Sequence, residues 1–238
     1  MQVSVFDLGS VDYSQAWRLQ AEIHAKVVSG ELDSTLLLLE HPHTYTLGKT
    51  ADKAHLIAAE EFLQQHNIKV FDIDRGGDIT YHGPGQLVGY PILNLTEWHK
   101  DTHKYLRYLE EMMIRLCLHY GLEADRKDGL TGVWIGQRKI AAIGVKVSRW
   151  VTMHGFAFNV NTDLQLFNGI IPCGIRDKEV TSLHRELGRQ VSMNEVKTLA
   201  AELFCTVFGA DYTDIRYKTP EAFFEKERAY GKEENYNN

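Results

Sequence analysis

The chain is poor in cysteine. Three occur in 238 residues, Cys117, Cys173 and Cys205. Their number is odd, their spacing is wide and no C-x-x-C pair occurs, which argues against a disulfide framework and against a cysteine zinc site. Reduced, independent thiols and no metal are expected. The chain also lacks basic excess: a formal net charge of −6 supplies no field for holding a polyanion, so nucleic acid is not expected as a partner. Long apolar runs are missing too. The longest, Leu36 to Leu39, is strand-sized, far below the roughly 20 residues that span a bilayer. The opening MQVSVFDLGSVDYSQAW is interrupted by Asp7 and Asp12 and has no basic start before an apolar stretch, so it does not read as a signal peptide. A cytoplasmic protein with no membrane contact is expected.

Repeats, low-complexity blocks and Pro/Ser-rich linkers are absent as well. One domain over residues 1–238 is expected, acting as a monomer, with a polar tail from about 225 to 238.

What is present is helical and strand-like patterning in irregular alternation. Ser14 to Ser29 has apolar residues at helical spacing with Gly30 as a stop. TLLLLEH reads as a buried strand, Glu60 to His66 as a short helix and KVFDID as a strand. QLVGYPILNL reads as a strand in which Gly89 and Pro91 hint at a bulge or an edge. Residues 103–120 carry an amphipathic stripe of Leu106, Leu109, Met113, Leu116 and Tyr120, capped by Gly121. GVWIGQRKIAAIGVKVSRWVTMHGFAFNV fits two or three strands turning near Gly136-Gln137 and Arg149-Trp150. Asn194 to Phe208 reads as a second amphipathic helix, with Asn194 as its N-cap. No regular βαβα rhythm emerges. The expected class is α+β: a mixed, largely antiparallel sheet packed with helices.

Two of the three thiols fall on helix faces. Cys117 continues the Leu109-Met113 stripe and Cys205 flanks the stripe of the last helix, so both read as packed core residues. Cys173, between Pro172 and Gly174, is on no periodic face. A loop thiol on a rigid turn can reach a cleft; the residues alone favour an incidental turn cysteine and leave the functional one open. The densest signal is RGGDITYHGPGQLVGYPI, Arg75 to Ile92, with five glycines beside Arg75, Thr80, Tyr81, His82 and Gln86. It matches neither a P-loop nor a dinucleotide-binding turn. Glycines let backbone approach a ligand closely, so the stretch points to a cradle for an extended ligand without naming it.

That stretch resembles the signature of the lipoyl(octanoyl) transferases, the lipoate-protein ligase B family: R-G-G-x-x-T-[aromatic]-H-x-x-G-Q-x-[apolar]-x-Y. Arg75, Gly76, Gly77, Thr80, Tyr81, His82, Gly85, Gln86, Val88 and Tyr90 satisfy it. RKIAAIGVKVSRWVTMHGFAFNVNTDL and FNGIIPCGI are similar to the family's second and third blocks, and order and spacing agree from about Ser34 to Val207. The resemblance implies that residues 1–238 are a single catalytic domain acting without a cofactor, with the fold of the catalytic domains of biotin and lipoate protein ligases. It implies transfer of an octanoyl or lipoyl group from octanoyl-acyl carrier protein to a lysine of lipoyl domains, those of 2-oxoacid dehydrogenase E2 subunits and of the glycine cleavage H protein. It puts the acyl-thioester cysteine on Cys173 and the lysine that lowers its pKa on Lys139. Substrate contacts fall on Arg75, Gly76, Gly77, Asp78, Ile79, Thr80, Tyr81 and His82, on Ala142, Ile143 and Gly144, and on Gly155, Phe156 and Ala157.

Without the resemblance, Lys139 would read as an exposed turn lysine beside Arg138. With it, an ammonium near Cys173 would favour the thiolate. His82 is open between a bond to the thiol, to the acyl carbonyl, or to a structural partner. The small residues Ala142, Gly144, Gly155 and Ala157 would leave room for the acyl chain. Acidic protein substrates would need a local basic patch, for which Arg126, Lys127, Arg138, Lys146 and Arg149 are candidates. Competing readings are an ATP-dependent lipoate- or biotin-type ligase, which needs no cysteine, a cysteine acyl-thioester hydrolase, and a non-catalytic acyl- or protein-binding module.

Overall fold

Residues Val3–Ser10 form strand β1, and Asp12 then starts helix α1 (Tyr13–Ser29) by accepting a hydrogen bond from the Ser14 amide; Gly30, at φ 80°, ends the helix in the left-handed region. The chain continues through β2 (Ser34–Glu40), β3 (Thr44–Leu47), α2 (Glu60–Gln65), β4 (Lys69–Asp72), β5 (Ile79–His82), β6 (Gln86–Ile92) and α3 (Thr102–His119). The strands β7 (Asp125–Lys127), β8 (Leu130–Ile135), β9 (Arg138–Ser148) and β10 (Val151–Asn159) follow, then α4 (Leu183–Leu187), α5 (Met193–Phe208) and β11 (Ile215–Tyr217). The computed structural model describes residues 1–171, 179–212, 214–220 and 222–223.

Eight strands form one sheet in the order β11-β1-β2-β6-β10-β9-β8-β7. The pairs β1–β11 and β1–β2 are parallel, and every pairing from β2 onward to β7 is antiparallel. A second sheet of three strands, β4-β3-β5, stands beside it. This is the expected α+β architecture.

Side-chain alternation explains why the large sheet is covered on both faces. In β2, Leu36 and Leu38 join the core under α3 and α5, and Leu37 and Leu39 join the core under α1. Four consecutive leucines are therefore all buried, as a central strand requires. The helices at 14–29 and 103–120 appear within a residue or so of expectation. The turns do as well: Gly136 has φ 56°, and Arg149 and Trp150 have φ 53° and 64°. The cap of α5 is Ser192, not Asn194; its hydroxyl accepts from the Glu195 amide. Among the described residues, no helix is long and apolar enough to cross a membrane.

The expectation of an edge or bulge at Gly89 and Pro91 is corrected. β6 is central, between β2 and β10. Gly89 pairs with Phe156, and a Cβ there would overlap the Phe156 ring; a Cβ on Gly155 would overlap the Gly89 carbonyl. The glycines buy close approach of two central strands, with one aromatic ring seated over the backbone. Pro91 falls where the β6–β10 ladder is interrupted, next to His154 at φ 58°, and its missing N–H costs no ladder bond to β10.

A direct consequence is that Gly89→Ala overpacks this contact. We expect a loss of about 1–3 kcal/mol, seen as a fall of several degrees in Tm. Adding Phe156→Leu should recover part of it, because the clash is with the ring. An unchanged Tm in Gly89→Ala would show that the ring moves aside freely.

Candidate active site

A cavity of about 470 Å³ lies between the small sheet and the β9–β10 half of the large one. Arg75 to Asp78 and β5 form one wall. Lys139 and the run Ala141 to Val145 on β9, with His154 to Ala157 and Asn159 on β10, form another. Tyr13 of α1, Gln86 and Tyr90 of β6 and Leu106 of α3 complete the lining with Gly129 to Thr131, Phe167 and Val180.

Thirteen of the expected contact residues thus meet around one space: Arg75, Gly76, Gly77, Asp78, Ile79, Thr80, His82, Ala142, Ile143, Gly144, Gly155, Phe156 and Ala157, and with them Lys139. Tyr81 does not line it. β5 alternates, so Thr80 and His82 turn to the cavity while Tyr81 packs on Tyr45 and Phe167 and shares a 2.7 Å hydrogen bond with His43 Nδ1. Cys173 lies outside the described residues. The chain on either side of it is placed: the Ile171 amide donates to the His55 carbonyl at 2.8 Å, and the Glu179 carbonyl accepts from the Lys139 amide at 2.9 Å.

Arg75 is buried at the junction of the two sheets. Its Nη2 donates to the Thr46 carbonyl at 2.8 Å and to the Thr46 hydroxyl at 3.0 Å, and its Nη1 donates to the Gly76 carbonyl at 3.0 Å. The Gly76 amide donates to Val145 on β9 at 2.9 Å. A Cβ on Gly144 would come 2.7 Å from Arg75 Cδ, and one on Gly155 would overlap the backbone of β6. The expectation that these two glycines leave room for a ligand chain is corrected: the volume they release is taken by protein atoms, and only their backbone faces the cavity. Ala142 and Ala157 remain as small side chains along the lining.

His82 is fully built into a hydrogen-bonded line, and its tautomer follows from that line. Asn159 Nδ2 donates to the Thr181 carbonyl at 2.9 Å, which aims Asn159 Oδ1 at Gln86. Gln86 Nε2 donates to Asn159 Oδ1 at 3.0 Å and to the Tyr81 carbonyl at 3.1 Å, leaving its Oε1 to accept from His82 Nδ1 at 2.9 Å. His82 therefore carries its proton on Nδ1, and Nε2 accepts from the Thr46 hydroxyl at 3.4 Å. Burial first, then the neighbouring His41 and Arg75, hold its pKa well below the usual value, so the ring is neutral. Of the roles left open for His82, the structural one is occupied.

His41 is neutral by the same logic: Nδ1 donates to the Val11 carbonyl at 2.7 Å, Nε2 accepts from Tyr90 at 2.7 Å, and burial depresses its pKa to about 4.

A β-bulge aims Lys139. Val133 pairs with Ala141 but Trp134 pairs with Lys139, so Ile140 is extra on β9. Ile140 and Ala141 are both buried in the core, and Lys139 is turned to the cavity. It is a strand residue, half-buried, with its Nζ 4.8 Å from the centre of the Trp134 ring. The other two thiols are inert by burial, which pushes Cys117 up to about 12 and Cys205 up to about 11.

The cavity also contains residues that patterning missed: Tyr13, His154 and Asn159. His154 was within the second resembling block, but nothing in its spacing marked it. Its Nε2 bonds Asp74 at 2.8 Å, and Asp74 also binds Lys146 at 2.5 Å. Burial disfavours the Asp74 charge, but these two partners outweigh it and hold the carboxyl at about 2. The proposed basic patch is also altered. Arg126 is bonded to Glu110 and Glu111, Arg138 binds Glu186 through two nitrogens at 2.9 Å, and Lys146 binds Asp74. Three of the five cations are thus already compensated.

The depressed histidines set the acid response. Below the unfolded value of 6.5 the unfolded chain takes up protons that folded His41 refuses until about pH 4. Stability should fall as pH drops across that window, by roughly 3 kcal/mol from His41 alone. Urea unfolding between pH 7 and 4 checks it, and His41→Gln should flatten the slope. A slope unchanged by that substitution would assign the acid response elsewhere.

Residues 12–205 match the family model described as the lipoyl protein ligase A/B catalytic domain. An octanoyltransferase of Flavobacterium johnsoniae is 49% identical over 227 residues, covering 88% of this chain and 98% of that protein. One of Rubrobacter xylanophilus is 53% identical over 203 residues, covering 84% and 91%. A bi-partite lipoate protein ligase of Thermoplasma acidophilum has the same fold, with a TM-score of 0.70 at 17% identity over 95% of this chain and 92% of that one. The biotin protein ligase of Aquifex aeolicus is more distant, with a TM-score of 0.52 at 15% identity over 88% and 70%. The chain belongs to the lipoyl protein ligase A/B catalytic-domain family and, within it, to the octanoyltransferases, which makes it an acyltransferase.

Proposed function

We propose that the chain takes an octanoyl group from octanoyl-acyl carrier protein and delivers it to a lysine of lipoyl domains, those of 2-oxoacid dehydrogenase E2 subunits and of the glycine cleavage H protein, in the cytoplasm. The intermediate is a thioester on Cys173. The observation that carries this reading is the anchoring of both flanks of the Cys173 segment to the cavity wall, one of them on Lys139 itself. Glu179 and Thr181 bracket Lys139 with two backbone hydrogen bonds of 2.9 Å. Ile171 is held by His55, whose Nδ1 bonds Asp78 at 2.6 Å in the glycine-rich wall.

The thiolate of Cys173 attacks the thioester carbonyl of the carrier's phosphopantetheine arm. The tetrahedral oxyanion collapses with loss of the pantetheine thiolate, which takes up a proton. Sulfur replaces sulfur, so the step is near isoenergetic and needs no ATP. A neutral lysine amine of the lipoyl domain then attacks the Cys173 thioester. The C–N bond forms, the C–S bond breaks, the amine proton leaves, and the Cys173 thiolate returns. In this reading Lys139, as an ammonium, favours the thiolate and exchanges these protons. The lining by Ile143, Phe156, Ala142 and Ala157 offers the octanoyl chain an apolar surface, worth roughly 0.8 kcal/mol per buried methylene. The Gly77 amide is one candidate donor to the oxyanion, a contact of a kind worth roughly 3 kcal/mol.

Intact-mass spectrometry after mixing with octanoyl-acyl carrier protein tests the reading. A hydroxylamine-labile octanoyl adduct should form on Cys173, be absent in Cys173→Ala and form at least tenfold more slowly in Lys139→Ala. No adduct on the unsubstituted protein would overturn the covalent route. Lipoyl-domain modification from free octanoate that requires ATP would put the chain with the ligases instead.

A further inference from the structure

Lys139 stands directly opposite Trp134 in the β8–β9 register, at the bulge that Ile140 creates. The indole is 3% exposed, and Lys127 on the adjacent strand β7 approaches the same ring. The two ammonium groups lie 4.8 Å (Lys139) and 4.7 Å (Lys127) from the ring centre, inside the roughly 6 Å range of a cation–π contact. Lys127 is further tied to Gln137 on the β8–β9 turn.

We propose that Trp134 is a positioning residue for Lys139, holding its ammonium against the indole ring that Lys127 also approaches. The inference rests on the reading that Lys139 acts on the Cys173 thiol. An aromatic face restrains a cation without cancelling its charge, whereas a carboxylate partner would neutralise the field a thiolate needs. The second cation strengthens that field. Among the described residues, Asp125 on β7 lies opposite Trp134 and accepts from the Arg126 amide at 2.7 Å, and several other carboxylates on the surrounding elements bond groups of their own. On α3, Glu110 accepts from the Gly132 amide at 3.0 Å and pairs with Arg107 at 2.7 Å and Arg126 at 3.1 Å. On α4, Glu186 is held by Arg138 at 2.9 Å, and Glu179 pairs with Arg185 at 3.4 Å. Trp134 thus holds positive charge on the cavity side of β9 through a contact that itself carries no negative charge.

The test is the pH dependence of Cys173 alkylation by iodoacetamide, followed on the Cys173 peptide by mass spectrometry, in a double-mutant cycle. Lys139→Ala should raise the thiol pKa by about one unit or more, and Trp134→Leu by about half a unit to one unit. Trp134→Phe, which keeps a ring, should shift it less, and Lys127→Gln by a few tenths in the same direction. In the Lys139→Ala background, Trp134→Leu should add nothing. An equal shift with and without Lys139 would mean that Trp134 acts through packing and would overturn the inference, as would no shift at all. If Trp134→Leu does not fold, the smaller shift of Trp134→Phe must vanish in the Lys139→Ala background by the same criterion. A thiol pKa unmoved by Lys139→Ala would overturn the pairing of Lys139 with Cys173 itself, a failure distinct from that of Trp134.

Discussion

The cavity exists because Arg75 is buried between two sheets. Its guanidinium reaches Thr46 on the small sheet, while the amide of the next residue, Gly76, reaches Val145 on the large one. A buried cation is costly unless its donors are met, and here carbonyl and hydroxyl oxygens meet them. That requirement fixes the spacing of the walls. The Lys49 amide donates to the Arg75 carbonyl at 2.9 Å, so the loop after β3 is pinned to the same residue. Gly144 has no side chain because Arg75 Cδ occupies its place. Remove the guanidinium and the small sheet loses its bonds at Thr46, leaving backbone bonds to hold it to this wall.

The second constraint is directional. Along Thr181–Asn159–Gln86–His82 each amide is oriented by a backbone carbonyl, which can only accept. The line therefore has one arrangement of donors, and it ends on a neutral imidazole. The same Thr181 donates its amide to the Lys139 carbonyl. Backbone geometry thus links the glycine-rich wall to the strand that carries Lys139, through a route with no titratable switch in its middle.

Patterning found what depends on local periodicity. The helices α1, α3 and α5 and the β8–β9–β10 turns follow from apolar spacing and glycines, and they lie where expected within a few residues. Short strands such as β3 and β5 did not show, because four residues give too few repeats to establish a period. The centrality of β6 was not legible either. Gly89 and Pro91 resemble edge features until Phe156 and Gly155, 60 or more positions along the chain, are seen to fill and adjoin them. Within the site, the resemblance gathered residues that do share one cavity. It could not separate Thr80 and His82 from Tyr81, since that depends on the facing of a four-residue strand. His154 and Asn159 were missed because their significance comes only from partners at Asp74 and Gln86.

The glycine-rich signature is largely a wall-building device. Arg75 bonds Thr46, Tyr81 bonds His43, His82 bonds Gln86, Gln86 bonds Asn159 and Tyr90 bonds His41. Each of these side chains has its hydrogen-bonding capacity directed at the protein. A motif of this kind identifies a family sharply, because so many mutual contacts must be satisfied together, and yet it says little about the reaction. The same fold at 14–17% identity is found in lipoate ligases, and fold alone does not choose between transfer and ligation. The choice must come from groups outside the signature. Lys139 lies outside it: a bulge turns it toward the cavity, the Trp134 ring centre is 4.8 Å from its Nζ, and Glu179 and Thr181 bond its backbone. The signature and the strand that carries Lys139 are different stretches of the chain, and they meet where the two sheets close around Arg75.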